Sequence, residues 1–300
     1  MNYRQALNIV LLLFIGLIFA AVYFKPEETS NSTPISALDA ASINSLKLKQ
    51  GEREILLTKS SGEWFVAGNP PLPAGEYRVK EILRLLSLPS EIHYPADEMD
   101  LMALGLEPAE TVVNFDNLSV ALGDTNPIDQ KRYLLVDDTV HLIESFQVPT
   151  LTVESQELIS KKLIQYPSGL SRIDAGDYLL EKQEVGWHWP TATDEISADD
   201  INAKVQSWLQ AQAYEVKFGR TEGEPIGELI LEYENQDQIR YEILTREQGS
   251  LVEWIFWRAD WDLSYLFFEQ SAKDLLTPPV AAEASAPFVE DATLSEPNLP

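Results

Sequence analysis

Two stretches of this chain superpose without a gap, and that repetition limits the fold more than any other feature of the sequence. Leu57-Thr58-Lys59 is followed five residues after the lysine by Trp64, and Leu180-Glu181-Lys182 is followed at the same distance by Trp187. A β-rich run precedes each copy, at Ile43 to Leu48 and at Arg172 to Leu180. A helical stripe follows each, with Val79, Ile82, Leu83 and Leu86 on one face in the first half and Ile201, Val205, Trp208 and Leu209 in the second. Both stripes keep the i, i+3, i+4, i+7 spacing of an amphipathic helix. Ser197 and Asp200 read as the capping box of the second helix, with Asp in place of the usual Glu.

Three strand-like runs come next in each half: Thr111 to Phe115, Ser119 to Leu122 and Tyr133 to Val136, then Glu228 to Tyr233, Ile239 to Thr245 and Leu251 to Arg258. A closing helix is expected near Val153 to Ile164 and again near Leu263 to Leu276. The order β-β-α-β-β-β-α, met twice, predicts an α+β protein of two related modules, 35–167 and 168–276, with the boundary between Pro167 and Ser171.

The ends of the chain read differently. Ile9 to Phe24 is an uninterrupted apolar run, and residues 6–24 reach the roughly 20 that a helix needs to cross a bilayer. A cleaved signal peptide needs small residues one and three places before the cut, but the candidates Ala20 and Ala21 leave Ile18 and Phe19 at the third place. Arg4 precedes the run, while Lys25 is followed at once by Glu27 and Glu28, which favours a cytoplasmic N-terminus. Residues 1–25 are therefore expected to be a cytoplasmic stub and transmembrane anchor, and 26–34 a polar linker. The bulk of the chain is placed in the periplasm of a bacterial inner-membrane, single-pass protein. Residues 277–300, rich in Pro, Ala, Ser and Glu, read as a disordered acidic tail.

A formal charge of −26 repels phosphate backbones, so no nucleic-acid partner is expected. The chain has no cysteine, and His93, His141 and His188 form no metal-binding pair, so neither a metal nor a cofactor is expected. No nucleophile elbow, dinucleotide fingerprint or phosphate loop occurs, and no residue is assigned a catalytic role. The acidic pairs Asp137-Asp138, Asp194-Glu195 and Asp199-Asp200 leave a glycosidase-like enzyme as a remote alternative. The densest constellation is aromatic: Trp254, Phe256 and Trp257, then Trp261, Tyr265, Phe267 and Phe268. Strand alternation sends Trp254 and Phe256 to one face and Trp257 to the other. Trp254, Trp257, Trp261 and Tyr265 are the candidate partner interface; core packing and a glycan-stacking platform are the competing readings.

Residues 101–143 add Gly105-Leu106-Glu107-Pro108, Val112 to Phe115, Leu122-Gly123-Asp124, and Arg132-Tyr133 with its strand up to Ile143. Together with Lys59, Trp64 and Val66 and the N-terminal run, this pattern resembles the family called Domain of Unknown Function four-three-four-zero. The resemblance implies single-span bacterial envelope proteins, some of them gene neighbours of gliding-motility-type ABC transporters, without established catalytic residues. It therefore implies a non-enzymatic accessory subunit of an envelope complex, with membrane-embedded or periplasmic protein partners such as ABC-transporter subunits. Trp64, Gly105, Pro108, Gly123, Tyr133 and Trp187 are read as structural. Gly105 is expected to end a helical turn in the left-handed region, Pro108 to fix an extended exit, and Gly123-Asp124 to make a turn.

Overall fold

Among the described residues strand outweighs helix, 46% against 19%, and the α+β expectation is corrected accordingly. The computed structural model describes residues 32–279 except 152–153, 193–195 and 250. The anchor, most of the 26–34 linker and most of the tail lie outside these residues. Among the described residues no helix is long and apolar enough to cross a membrane. The longest spans only Ala198–Gln210, far short of the roughly 20 residues a bilayer requires. The single-pass, inner-membrane placement is corrected with it, no described helix supporting a span and the run Ile9 to Phe24 lying outside these residues.

Two units divide the described chain: one holds the residues up to Trp64 and from Tyr77 to 151, the other Phe65–Glu76 and the residues from Glu154 onward. In chain order the strands begin with β1 (Thr33–Pro34), β2 (Ser45–Gln50), β3 (Arg53–Ser60), β4 (Glu63–Val66) and β5 (Leu72–Pro73). Helix α1 (Glu76–Leu83) leads to β6 (Pro89–Ser90), β7 (Ile92–Pro95), β8 (Thr111–Phe115), β9 (Leu118–Thr125), β10 (Lys131–Val136) and β11 (Thr139–Glu144). After the short α2 (Ser155–Leu158) come β12 (Leu170–Asp174), β13 (Leu179–Gln183), β14 (Gly186–His188) and helix α3 (Ala198–Gln210). The chain continues through β15 (Glu215–Phe218), β16 (Glu224–Tyr233), β17 (Gln238–Gln248), β18 (Leu251–Arg258), β19 (Leu263–Phe268) and α4 (Glu269–Leu276).

Leaving aside β5, the first sheet runs β4-β3-β2-β8-β9-β10-β11-β7 and the second β14-β13-β12-β16-β17-β18-β19-β15. Strand for strand the orders coincide. Trp64 and Trp187 are each the second residue of the third strand, in chain order, of their large sheet. In each of these eight-strand sets three strands precede the helix and five follow it, where the sequence pattern had suggested three after the helix; a closing helix, α4, follows only in the second.

The expected closing helices account for most of the discrepancy. Only Ser155–Leu158 is helical in the first, because Ile159, Leu163 and Ile164 are buried along an extended stretch. Its amides pair outward, Ser160 to the Pro73 carbonyl and Leu163 to that of Ala211. In the second, Leu263–Phe268 is strand, buried at every position except Phe268, and the helix is confined to Glu269–Leu276. A strand covered on both faces loses its alternation and looks like a helical apolar run.

The capping residue of α3 behaves as its sequence suggests. The Asp200 amide donates to Ser197 Oγ at 3.1 Å, and the hydroxyl donates to the Asp200 carboxylate at 2.6 Å. Ile201, Val205 and Trp208 of this helix are buried, as are Ala272 and Leu275 of α4. The Trp208 indole donates to the Tyr178 hydroxyl, which donates to the Leu275 carbonyl. These bonds tie both helices over the sheet face that carries Tyr241, Ile243, Phe256 and Tyr265, all at most 2% exposed.

Candidate functional site

Register on β18 decides where each aromatic candidate goes. Ile243, Phe256 and Tyr265 stand opposite one another, as do Leu244, Ile255 and Leu266, so the two rows project to opposite faces of the sheet. Tyr265 belongs to the helix-covered face and is fully buried, edge-on to Tyr241 at 5.9 Å between centroids. A residue with no exposed surface offers nothing to a partner. Trp254 shares that face and is half-buried, with an indole N–H that has no hydrogen-bond partner. The four candidates therefore do not converge on one surface.

Trp257 projects to the outer face. Leu244, Ile255 and Leu266 form a fully buried row there, and Tyr214 and Trp257 pack against it. Tyr214 stacks on Phe268 with centroids 4.5 Å apart, and Phe268 is 63% exposed. The Arg220 guanidinium lies 5.6 Å from the centroid of the Trp257 ring and grips Glu242 through two bonds of 2.7 and 3.0 Å. Glu253 accepts from the Tyr214 hydroxyl at 2.7 Å and from Arg246. Burial alone would raise the carboxyl pKa of Glu253, but these donors outweigh it and hold the group below its ordinary range. Hydrogen bonding from Arg220 lowers Glu242 likewise. The result is an aromatic centre over an apolar row, rimmed by ion pairs.

Trp261 belongs elsewhere, at the turn between β18 and β19. Arg258 projects to the helix-covered face at its rim, its side chain only 5% exposed. Its guanidinium sits 3.4 Å from the centroid of the Trp261 ring and 6.0 Å from that of Tyr241. Nε and Nη2 donate to the two carboxylate oxygens of Asp260, each at 2.7 Å. Burial opposes charge on both partners, yet the pair prevails: Arg258 is shifted up and Asp260 down. Nη1 has no hydrogen-bond partner. A buried donor left unmatched costs about 1–3 kcal/mol. Beside it Tyr241 donates to the Leu163 carbonyl at 2.6 Å, and burial pushes its phenol up to about 12.

Arg258 and Asp260 help line a cavity of about 470 Å³, together with Tyr166, Ser168, Tyr233, Asn235, Asp237, Gln238 and Ile239. Its walls are the approach to β12, the turn joining β16 to β17, and the turn joining β18 to β19. The Tyr233 hydroxyl is a second buried polar atom without a partner, and burial raises its pKa. Neither this cavity nor the Arg220 and Tyr214 contacts followed from sequence reasoning, since they join residues far apart in the chain. One signal was readable: Arg258 follows Phe256 at strand spacing, so a charge had to point toward the core and needed a partner.

In the first unit the motif residues of the family resemblance meet. Gly105 has φ +67, and a Cβ there would lie 2.7 Å from the Asp124 carboxyl carbon. A Cβ on Gly123 would come within 2.4 Å of the Leu104 carbonyl and 2.9 Å of the Leu106 side chain. The Asp124 amide donates to that carbonyl at 2.9 Å, and Arg132 Nε to the Gly123 carbonyl at 3.0 Å. Gly123-Asp124 is thus a point of close approach inside β9, where a turn had been expected. Pro108 does not begin an extended exit either: Leu106 and Ala109 bridge across it. Tyr133 packs with Leu106, Ala121 and Val140.

His141 is 8% exposed, with Nδ1 2.8 Å from Ser90 Oγ and its ring 6.0 Å from that of His93. Burial, with His93 adding to it, lowers its pKa to about 4. It is therefore a neutral core residue at pH 7. Among the described residues no group of three or more His, Asp or Glu could hold a metal ion. No protein-family model, no curated protein and no solved structure matches this chain.

Proposed function

We propose that the protein is a non-enzymatic binding subunit that engages a protein partner through the outer face of its second sheet. The supporting observation is the partly buried Trp257 with the Tyr214–Phe268 stack over the Leu244–Ile255–Leu266 row, inside a rim of Arg–Glu pairs. Aromatic residues and arginine are enriched at the centres of protein interfaces, and charged rims set orientation and partner choice. The family resemblance adds ABC-transporter-type subunits as the partner class. Trp261, packed on Arg258 beside the cavity, is left out of this surface.

Affinity capture from the native cell, quantified for Trp257→Ala and Phe268→Ala beside the unaltered chain, tests the assignment. Truncating an anchor is expected to weaken capture of one specific partner by about 2 kcal/mol, roughly thirtyfold. Hydrogen exchange in β16 to β19 should stay the same. A loss of capture that merely follows loss of exchange protection makes Trp257 a packing residue and overturns the assignment.

A further inference from the structure

We propose that the cavity between the β16–β17 and β18–β19 turns binds a neutral saccharide unit. Its volume of about 470 Å³ lies within the roughly 300–1,000 Å³ of small-molecule sites. The lining decides the class of ligand. Tyr166, Ser168 and Tyr233 bring hydroxyls, Asn235 and Gln238 amides, Asp237 and Asp260 carboxylates and Arg258 a guanidinium, against the single aliphatic Ile239. A wall so polar does not suit an apolar guest. Asp237 and Asp260, on a chain of formal charge −26, oppose an anion, and Arg258 opposes a cation.

A pyranose carries no charge and presents adjacent hydroxyls that both donate and accept, which matches mixed carboxylate, amide and guanidinium partners. Its C–H face suits tyrosine rings such as Tyr166 and Tyr233. Tyr233 and Arg258 both line the cavity, and each carries a buried polar atom without a protein hydrogen bond, the Tyr233 hydroxyl and Arg258 Nη1. This site lies apart from the Trp257 face. Failure of one assignment leaves the other standing.

The test is titration calorimetry and saturation-transfer NMR on the full chain with maltose, cellobiose and N,N′-diacetylchitobiose. Glucose 6-phosphate, inorganic phosphate and spermidine serve as charged probes. At least one neutral disaccharide is expected to bind. Tyr233→Phe and Ser168→Ala, which remove one hydroxyl each, are expected to weaken it about tenfold. Phosphate or glucose 6-phosphate binding more tightly than every neutral sugar overturns the proposal in favour of an anion site, and tighter spermidine binding overturns it in favour of a cation site. Sugar binding that survives both hydroxyl deletions overturns it by placing the ligand elsewhere. No response to any neutral sugar up to about 10 mM, where weak binding is still detectable, also overturns it.

Discussion

The two units share one strand order but finish their outer faces in different ways. In the first, Ala121, Leu135 and Val140 form a row across β9, β10 and β11. The connection from β7 to β8, residues 96–110, lies against that row through Met99, Leu101, Leu104 and Leu106. In the second, the row of Leu244, Ile255 and Leu266 crosses the matching strands β17, β18 and β19, but the connection from β15 to β16 is only 219–223. Side chains do there what backbone does in the first unit: Trp257 and Tyr214 pack on the row. A face closed by a strapped segment is finished, whereas one closed by aromatic side chains still presents those rings outward. One topology can thus carry a sealed sheet and a presenting one, and connection length separates them.

The largest effect should come from breaking the strap. Gly123→Ala puts a methyl group 2.4 Å from the Leu104 carbonyl, an obstacle that backbone must move to relieve. A loss on the order of 3 kcal/mol is expected in the first unit, read by hydrogen exchange of β8 to β11, with β16 to β19 unaffected. Equal loss in both units would mean that the strap does not belong to the first alone.

Ile255→Ala removes the centre of the second row and should cost about 2 kcal/mol, the low end for buried aliphatic truncation because only side chains cap it. A cost above that of Gly123→Ala in chemical denaturation would reverse the contrast drawn between the two faces.

Acid should also separate the units. His141 accepts a proton only near pH 4 when folded and near 6.5 when unfolded, so between those values the unfolded chain holds more protons. Its contribution to stability is complete above about pH 6.5 and falls away as the pH drops toward 4. By about pH 5 the first unit should lose roughly 2 kcal/mol relative to pH 7, and His141→Gln should flatten that slope in urea titrations. A slope unchanged in the variant assigns the effect to other groups.

Gly227→Ala sets the floor. No atom lies within 4 Å of the added methyl group, so the change should stay within about 0.5 kcal/mol.

Local grammar in the sequence placed Trp64 and Trp187 at matching strand positions and carried the Ser197 cap and the buried stripe of α3, while the β-β-α-β-β-β-α order read around them is overturned. It failed where tertiary burial overrides period. Leu263–Phe268 is covered on both faces and so lost the alternation that marks a strand, and Ile159 to Ile164 carries helix-like spacing along an extended chain. The aromatic cluster was visible as composition, yet its division between Trp257 outside, Tyr265 inside and Trp261 at the cavity depends on register across β17, β18 and β19. Arg258 and Tyr233 come together only through turns distant in sequence, which no local pattern encodes.

Of the seven tryptophans in the chain, Trp64 alone lies in the first unit, while Trp187, Trp189, Trp208, Trp254, Trp257 and Trp261 lie in the second. Intrinsic fluorescence is therefore close to a private signal of the second unit, whereas far-ultraviolet dichroism records strands of both. The two optical signals followed through one melt would show directly, without labels or dissection of the chain, whether the units come apart together or one after the other.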